Sequence, residues 1–453
     1  MRVPSLHKIL LPFALPLALL ATQAQAAYIP RYSTTAPGAM TFTGNAIGLD
    51  YYNTTPNTPP TATQAGKQSI GAFMAAGSTS TYGTHPSPTT GAWASNRSAA
   101  VLRLPAGATV LYAELIWGGT RQNGASNSLT TAVVNSAVSF ETPLGTNSIT
   151  PDAATAQQAT GAANVIYYVR SADVTTLVQT LGTGNIPISV GGIPGLNLGG
   201  NTNDSGGSNS GGWTLAVAYR DASQPEHKMD IYVGAEAVSG TTTAVQAVTG
   251  FCTAPFGVQS GRLMVSTLEG DAGITGDYFR FGPTNSPPVA NNLSASNNLA
   301  TNFFAAQINN DTGALDNSGT FGTLNKTPGS NLGPGRHGYD ITNVSLNSLL
   351  LPNQTTGYVL AGTAGDAYIV NALGPQTKAG QPGFPTAVKR VNGIAADITH
   401  FPAYQTRVGD ILTYSIKLNN STGTAAATSV TFTDMLPPGL SFVPGSFTRS
   451  NVA

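Results

Sequence analysis

Hydrophobic and polar residues alternate along several short stretches of this chain, which is the pattern of half-buried β-strands. Residues 109–117 place Leu115 and Trp117 on one face and Glu114 on the other, and residues 213–219 and 408–418 alternate in the same way. Further strands are expected at 99–104, 165–170, 229–233, 261–268, 277–281, 302–308, 345–349, 357–370, 429–434 and 440–443. The short Pro-Ala-Gly turn between the first two strands predicts that 99–104 and 109–117 form a hairpin.

Helical periodicity is rare. One short helix is expected after Ser171, where Val174, Leu177, Val178 and Leu181 fall at helical spacing. Short strands with so little helix predict an all-β protein with two or more β-sandwich domains of the immunoglobulin-like or jelly-roll-like kind. The predicted divisions are a signal peptide at 1–26, a Thr/Pro/Gly-rich segment with few strands at 27–98, sandwiches at 99–240 and 241–374, a linker at 375–388 and an incomplete immunoglobulin-like repeat at 389–453.

The N-terminus has the features of an export signal. Arg2 and Lys8 precede an apolar run at 9–21, and the segment ends in Ala24-Gln-Ala26, small residues suited to signal peptidase. The run is shorter than the roughly 20 residues that a membrane span needs. We therefore expect an exported chain without a membrane span.

The charge composition argues against nucleic-acid partners. Charged residues make up 9% of the chain, and 20 basic residues cancel 20 acidic ones. No basic cluster is present that would neutralise phosphates. A net charge near zero also removes the repulsion that keeps proteins apart, so it permits packing of copies against one another.

The C-terminal stretch resembles a known repeat. The resemblance rests on the spacing of Gly409-Asp410, Tyr414, Asn419-Asn420, Val430, Thr433-Asp434, Leu436-Pro437, Gly439-Leu440 and Gly445-Ser446. This spacing is similar to the bacterial surface-protein repeat called domain of unknown function 11. The resemblance implies an immunoglobulin-like module, usually tandem, in large envelope proteins, and it implies no catalytic residues.

A looser resemblance covers residues 99–372. Segments 113–118, 172–175, 212–219, 268–271, 275–277, 302–304 and 338–341 look like the β-rich region that precedes such repeats. It implies architecture and a location at the bacterial cell surface or outside the cell. A complete sandwich needs about seven strands over about 100 residues, more than 389–453 supplies. Either the native chain continues, or a neighbouring chain donates a strand.

The sequence offers few groups for catalysis. His85, His227, His337 and His400 are scattered, without a metal-binding or nucleophile-elbow motif, and are expected to be solvated loop residues. Cys252 is expected to be a small buried side chain, with an intermolecular disulfide or reactive thiol as the alternative. We expect no enzyme, although a triad assembled from separate loops stays open.

Two loops are candidate calcium sites. Glu269, Asp271 and Asp277 place three carboxylates in a short turn-rich segment, where they would repel unless solvated, paired or bridged by a cation. Hydrogen bonding within turns is the alternative, and Glu269 with Asp271 also allows a glycosidase pair. The loop at 201–206 begins like a calcium loop but has Gly212 at its twelfth position.

These patterns predict a non-enzymatic exported bacterial envelope protein, structural or adhesive and able to self-assemble. Its expected partners are cell-envelope components or copies of itself. No cofactor is required, calcium being the one candidate. The alternative is a secreted carbohydrate-binding or calcium-dependent binding module, with Trp93 as the exposed aromatic residue for a glycan and Trp117 and Trp213 in the core.

Overall fold

The computed structural model describes residues 28–51, 68–124, 127–197, 209–255, 257–325, 335–380, 386–395, 408–419, 430–431, 433–436 and 438–449. Nearly all regular structure in these residues is β-strand, which confirms the all-β class. The first strands are β1 (Ile29–Ala46), β2 (Gly48–Asp50), β3 (Ile70–Met74), β4 (Thr89–Thr90), β5 (Arg97–Leu104), β6 (Thr109–Gln122), β7 (Val138–Thr142), β8 (Gly145–Ile149), β9 (Gln157–Thr160), β10 (Ile166–Asp173) and β11 (Gly184–Gly191).

The remaining strands are β12 (Gly211–Arg220), β13 (Glu226–Ser239), β14 (Ala244–Thr249), β15 (Gly261–Leu268), β16 (Tyr278–Gly282), β17 (Tyr339–Ser345), β18 (Thr356–Gly362), β19 (Ala367–Lys378), β20 (Thr386–Ala395) and β21 (Ile411–Asn419). Two short α-helices are described, α1 (Thr131–Val134) and α2 (Thr175–Gln179). The second is the helix expected after Ser171, and its Val178 lies in a hydrophobic core.

The strands form a wide antiparallel sheet flanked by smaller ones. The wide sheet has the order β17-β15-β19-β13-β1-β12-β6-β10-β9. A four-stranded sheet, β5-β11-β7-β8, and two three-stranded sheets, β14-β18-β16 and β2-β3-β4, accompany it. Strands β20 and β21 form a separate two-stranded sheet.

Strand β1 joins the two halves of the wide sheet. Its residues 29–37 pair with β13, and its residues 38–46 pair with β12. The partner changes between Pro37 and Gly38. This position suits a proline, which has no N–H to give to a sheet.

Three hydrophobic cores alternate with the sheets. Neighbouring residues point to opposite faces, so on β6 Leu115 lies in a core shared with the four-stranded sheet, whereas Ile116 faces the other half of the wide sheet. On β19, Ile369 lies in that second core, and Val370 lies in a third core shared with β14-β18-β16. Apart from β2-β3-β4 and β20-β21, the described strands therefore form a stack of four β layers, in which the two halves of the wide sheet pack face to face.

Several expected strands are found, but their partners differ from the prediction. Strands β5 and β6 follow one another as expected, yet they lie in different sheets, so the predicted hairpin is wrong. Residues 27–98 were expected to contain few strands and instead carry β1 to β4. Their many threonines are β-branched and suit extended backbone.

The second half also differs in detail. Residues 302–308 form no strand. Of the strand expected at 345–349, Ser345 is the last residue of β17 and 346–349 are not in a strand. The expected strand at 357–370 is two strands, β18 and β19, separated by a turn at 363–366. Strand β19 runs through Lys378, inside the stretch assigned to a linker.

The C-terminal stretch contains the expected strand at 408–418, which is β21. It pairs with β20 in an antiparallel ladder. Further strands were expected at 429–434 and 440–443. The described positions there, 430–431, 433–434 and 440–443, are not in strands. Among the residues that the structure describes, no helix is long and apolar enough to cross a membrane.

Candidate metal centre

The acidic residues of interest lie where the chain crosses between two sheets. Strand β15 in the wide sheet ends at Leu268, and residues 269–277 lead to β16 in the three-stranded sheet. Strand β18 belongs to that smaller sheet, and residues 363–366 lead back to β19 in the wide sheet. The two crossings touch, because Ala364 N–H donates to the Gly276 carbonyl at 3.0 Å.

Three carboxylates meet at this contact. One oxygen from each of Glu269, Asp271 and Asp366 lies within 4.8 Å of the others, and all three residues are buried. Two of them were expected from the sequence. The third, Asp366, comes from the turn that the sequence pattern concealed within a single long strand.

Asp277 is the fourth acidic residue at the site. It is fully buried, and neither of its carboxylate oxygens has a hydrogen-bond partner of good geometry. Burial raises the pKa of Asp277 well above its ordinary value, and the negative charge of Asp366 raises it further. The Thr363 hydroxyl lowers it in part, and Asp340 and Asp271 make smaller contributions that raise it. The structure thus places Asp277 beside the group of three.

The backbone at Glu269 and Gly270 lets the loop at 269–277 approach the start of β17 closely. Glu269 has φ of 77°, a left-handed conformation that is uncommon for a residue with a side chain. Its N–H donates to the Gly338 carbonyl at 3.0 Å. A Cβ on Gly270 would lie 2.1 Å from Asp340 Oδ2, so no side chain fits there.

The loop at 363–366 is a tight turn that fixes the position of the Asp366 side chain. The Thr363 hydroxyl accepts hydrogen bonds from the N–H groups of Gly365 at 3.1 Å and Asp366 at 2.9 Å. Asp366 Oδ1 accepts from Ala367 N–H at 2.7 Å, whereas its Oδ2 is buried without a hydrogen-bond partner of good geometry. Burial raises the pKa of Asp366 to about 7.

Two further polar residues surround the carboxylates. Asp340 on β17 accepts from Gln307 N–H at 2.8 Å, and burial raises its pKa to about 7. The Asn302 amide donates to the carbonyls of Asp271 at 3.4 Å and Ala272 at 3.3 Å. Its oxygen Oδ1 is buried without a hydrogen-bond partner.

This arrangement concentrates negative charge in the protein interior. Ionised carboxylates are costly to bury unless they are protonated, paired or bound to a cation. Oxygen ligands of this kind are those that a hard divalent cation takes. The glycosidase alternative fits poorly, because Glu269 and Asp271 are 5% and 4% exposed and a sugar could not reach them.

Other sequence-based expectations fare differently. The described histidines are buried, not solvated: His85 and His227 bond to backbone carbonyls of Asp50 and Gly38, and His337 is 1% exposed. Cys252, expected to be buried, is exposed. His400 and the loop at 201–206 lie outside the described residues.

The three tryptophans separate as follows. Trp117 and Trp213 are fully buried in the first core, as expected, and face each other across β6 and β12. Trp93, expected to be exposed, is half-buried in a short 3-10 helix and packs against the same core.

A scan of the chain against protein-family models finds no match. A search of curated proteins likewise finds no significant similarity.

Proposed function

We propose that this chain is a non-enzymatic, exported protein of the bacterial surface with a structural or adhesive role. The observation that carries the proposal is the location of the side chains that could do chemistry. His85, His227 and the carboxylates Asp271 and Asp277 are all buried. Buried positions of this kind favour a scaffold role over contact with a substrate.

The architecture supports the same proposal. Most of the described chain forms four stacked β layers with three hydrophobic cores between them. The export signal expected at 1–26, the neutral composition and the resemblance to bacterial surface repeats add support from the sequence. The expected partners are envelope components or further copies of the chain.

Cell fractionation tests the location. The full chain, produced from its own N-terminus in a bacterial host, is expected to sediment with the envelope and to be cleaved by protease added to intact cells. A cytoplasmic marker protein that stays uncleaved in the same cells is the control. Recovery only in the cytoplasm, or only as a freely secreted monomer, would contradict the proposal.

A glycan-binding role would rest on Trp93. Since Trp93 packs against the first core, a stacked sugar would have to displace part of that contact. We expect no glycan-array signal that depends on this residue. A signal that disappears in Trp93→Ala, while circular dichroism shows that the variant stays folded, would favour the binding module over the structural protein.

A further inference from the structure

We propose that Glu269, Asp271 and Asp366 bind one calcium ion at the contact of the two sheet crossings, with Asp277 as an adjacent fourth carboxylate. The geometry supports a common ion. Calcium binds oxygen at about 2.4 Å, so oxygens around one ion lie at most about 4.8 Å apart. The oxygens of the three proposed ligands lie within 4.8 Å of one another.

The burial of Asp277 gives independent support for a bound cation. This residue is 0% exposed, and neither of its oxygens has a hydrogen-bond partner of good geometry, although Asp366 and Asp271 lie close to it. Asn302 Oδ1 is a further buried oxygen without a partner, on a side chain whose amide group holds the carbonyls of Asp271 and Ala272. Buried oxygens of this kind normally have a partner, and a cation would supply one.

The donor set favours calcium over other divalent cations. Every candidate ligand atom is an oxygen, which disfavours zinc, because zinc prefers sulfur and nitrogen. Magnesium requires a near-ideal octahedron and usually keeps several waters, whereas calcium accepts irregular sets of six to eight oxygens. Backbone carbonyls and a few waters would have to complete the shell.

A calcium ion here would have a mechanical role in the fold. Glu269 and Asp271 come from the crossing between β15 and β16, and Asp366 comes from the crossing between β18 and β19. The ion would therefore join two of the connections between the wide sheet and β14-β18-β16. It would also offset the repulsion among carboxylates that otherwise opposes their approach.

Calcium titration of the full chain tests the site. After treatment with EDTA and dialysis, the wild-type protein is expected to melt at a higher temperature with 1 mM calcium than without it, since a ligand that binds only the folded state stabilises it. Titration calorimetry should give one ion per chain. Magnesium at the same concentration should raise the melting temperature less.

Substitutions distinguish a calcium site from a merely structural cluster. Asp366→Asn keeps an oxygen that can accept from Ala367 N–H but removes one charge. We expect it to melt higher than wild type in EDTA, because repulsion is relieved, and to bind calcium roughly tenfold more weakly or worse. Asp271→Asn should behave in the same way. A structural role alone would not predict both changes.

Asp230→Asn is the matched control. Asp230 is also buried and acidic, but it lies on β13 and pairs with Lys228. Its substitution should lower the melting temperature and leave the calcium-induced rise intact. The proposal is wrong if wild type shows neither a rise nor calorimetric binding, or if Asp366→Asn and Asp271→Asn keep wild-type affinity. Either result leaves the proposed surface location untouched.

Discussion

Trp213 shows how much a single side chain can contribute to this fold. It lies opposite Trp117 on the neighbouring strand, and its indole N–H donates to the Ser98 hydroxyl on β5 at 2.9 Å. One residue thus links the wide sheet to the four-stranded sheet through both packing and a hydrogen bond. Trp93 contacts the same core from its edge.

Replacement of these tryptophans should have unequal effects. Trp213→Ala is expected to lower the free energy of unfolding by about 3–5 kcal/mol, because it leaves a cavity and an unpaired hydroxyl. Trp93→Ala should cost less than half as much, since that side chain is only half-buried. Urea denaturation followed by circular dichroism measures both. Equal losses would mean that the first core does not depend on the buried tryptophan.

His227 makes the stability of the folded protein depend on pH. Burial lowers its pKa below the ordinary value of 6.5, the hydrogen bond to the Gly38 carbonyl opposes this in part, and the charges of Arg262 and Lys378 make smaller contributions that lower it further. The ring nitrogen Nδ1 lies 2.6 Å from that carbonyl oxygen, so the neutral ring carries its proton there. The folded state therefore favours neutral histidine.

The sign of the pH effect follows from this lowered pKa. Below about pH 6.5 the unfolded chain takes up a proton that the folded protein resists, so the stabilisation is complete above that pH and decreases as the pH falls towards the folded pKa. His227→Asn removes this effect. We expect the stability difference between wild type and variant, measured by urea denaturation, to move against wild type from pH 7 to pH 5. A difference independent of pH would refute the lowered pKa.

Acidic residues that lie close together in the sequence could be predicted as a metal site, whereas a ligand from a distant segment could not. Glu269, Asp271 and Asp277 stand out because three carboxylates share one short turn-rich segment. Asp366 carries no such local signal, and only the fold brings it to the site. The Gly365-Asp366 pair within 357–370 was the available indication of a turn. The prediction that the histidines are solvated was wrong for a related reason. Polar neighbours in the sequence do not determine whether a side chain is buried in the fold.

Strand β1 is the element on which the whole arrangement depends. It passes from β13 to β12 at Gly38, where the backbones approach so closely that a Cβ would lie 2.0 Å from the Tyr219 carbonyl oxygen. Gly38 also has φ of 152°, which favours glycine. A side chain here would push β1 away from β12.

Gly38→Ala should therefore destabilise the protein much more than an ordinary glycine substitution. Gly107→Ala is the matched control, because Gly107 also has a positive φ, 79°, but nothing lies within 4 Å of its Cβ position. That control should lose only about 1 kcal/mol, the cost of the left-handed backbone. Thermal melting of the two variants decides the matter. Similar melting temperatures would show that β1 can shift without cost.

Strand identity was easier to predict than strand pairing. Alternation located β6, β12 and β15 within a few residues, because each buries one or both faces. Pairing depends on layers far apart in sequence. The turn at Pro105 led to a predicted hairpin, yet the chain there passes from one side of the first core to the other. Alternation also continued across residues 363–366 and hid the turn.

At the scale of the whole molecule, neighbouring hydrophobic cores share strands of the wide sheet, so the stabilities of the cores are linked. Each half of the wide sheet buries one face in the second core and the other face in the first or third. Disrupting one core exposes a strand that also serves another. The β20–β21 sheet is different, because among the described strands each of its two members pairs only with the other.

This difference should be visible in hydrogen exchange. Two-stranded sheets are marginally stable alone, and apolar side chains of this region, including Ile411, Leu418, Phe442 and Phe447, are exposed. At low protein concentration we expect amides of β21 to exchange far faster than those of β12, which is buried almost throughout. Mass spectrometry of peptides from both strands is the measurement.

Protein concentration separates the two ways in which the exposed apolar side chains could be covered. With net charge near zero, copies of the chain do not repel one another, and the outer edges of β20 and β21, which pair with no other described strand, can accept further strands. We therefore expect β21 to become better protected as concentration rises, while β12 stays unchanged. Equal protection of β21 and β12 in dilute solution would instead mean that the same chain covers this sheet, and self-association through it would be excluded.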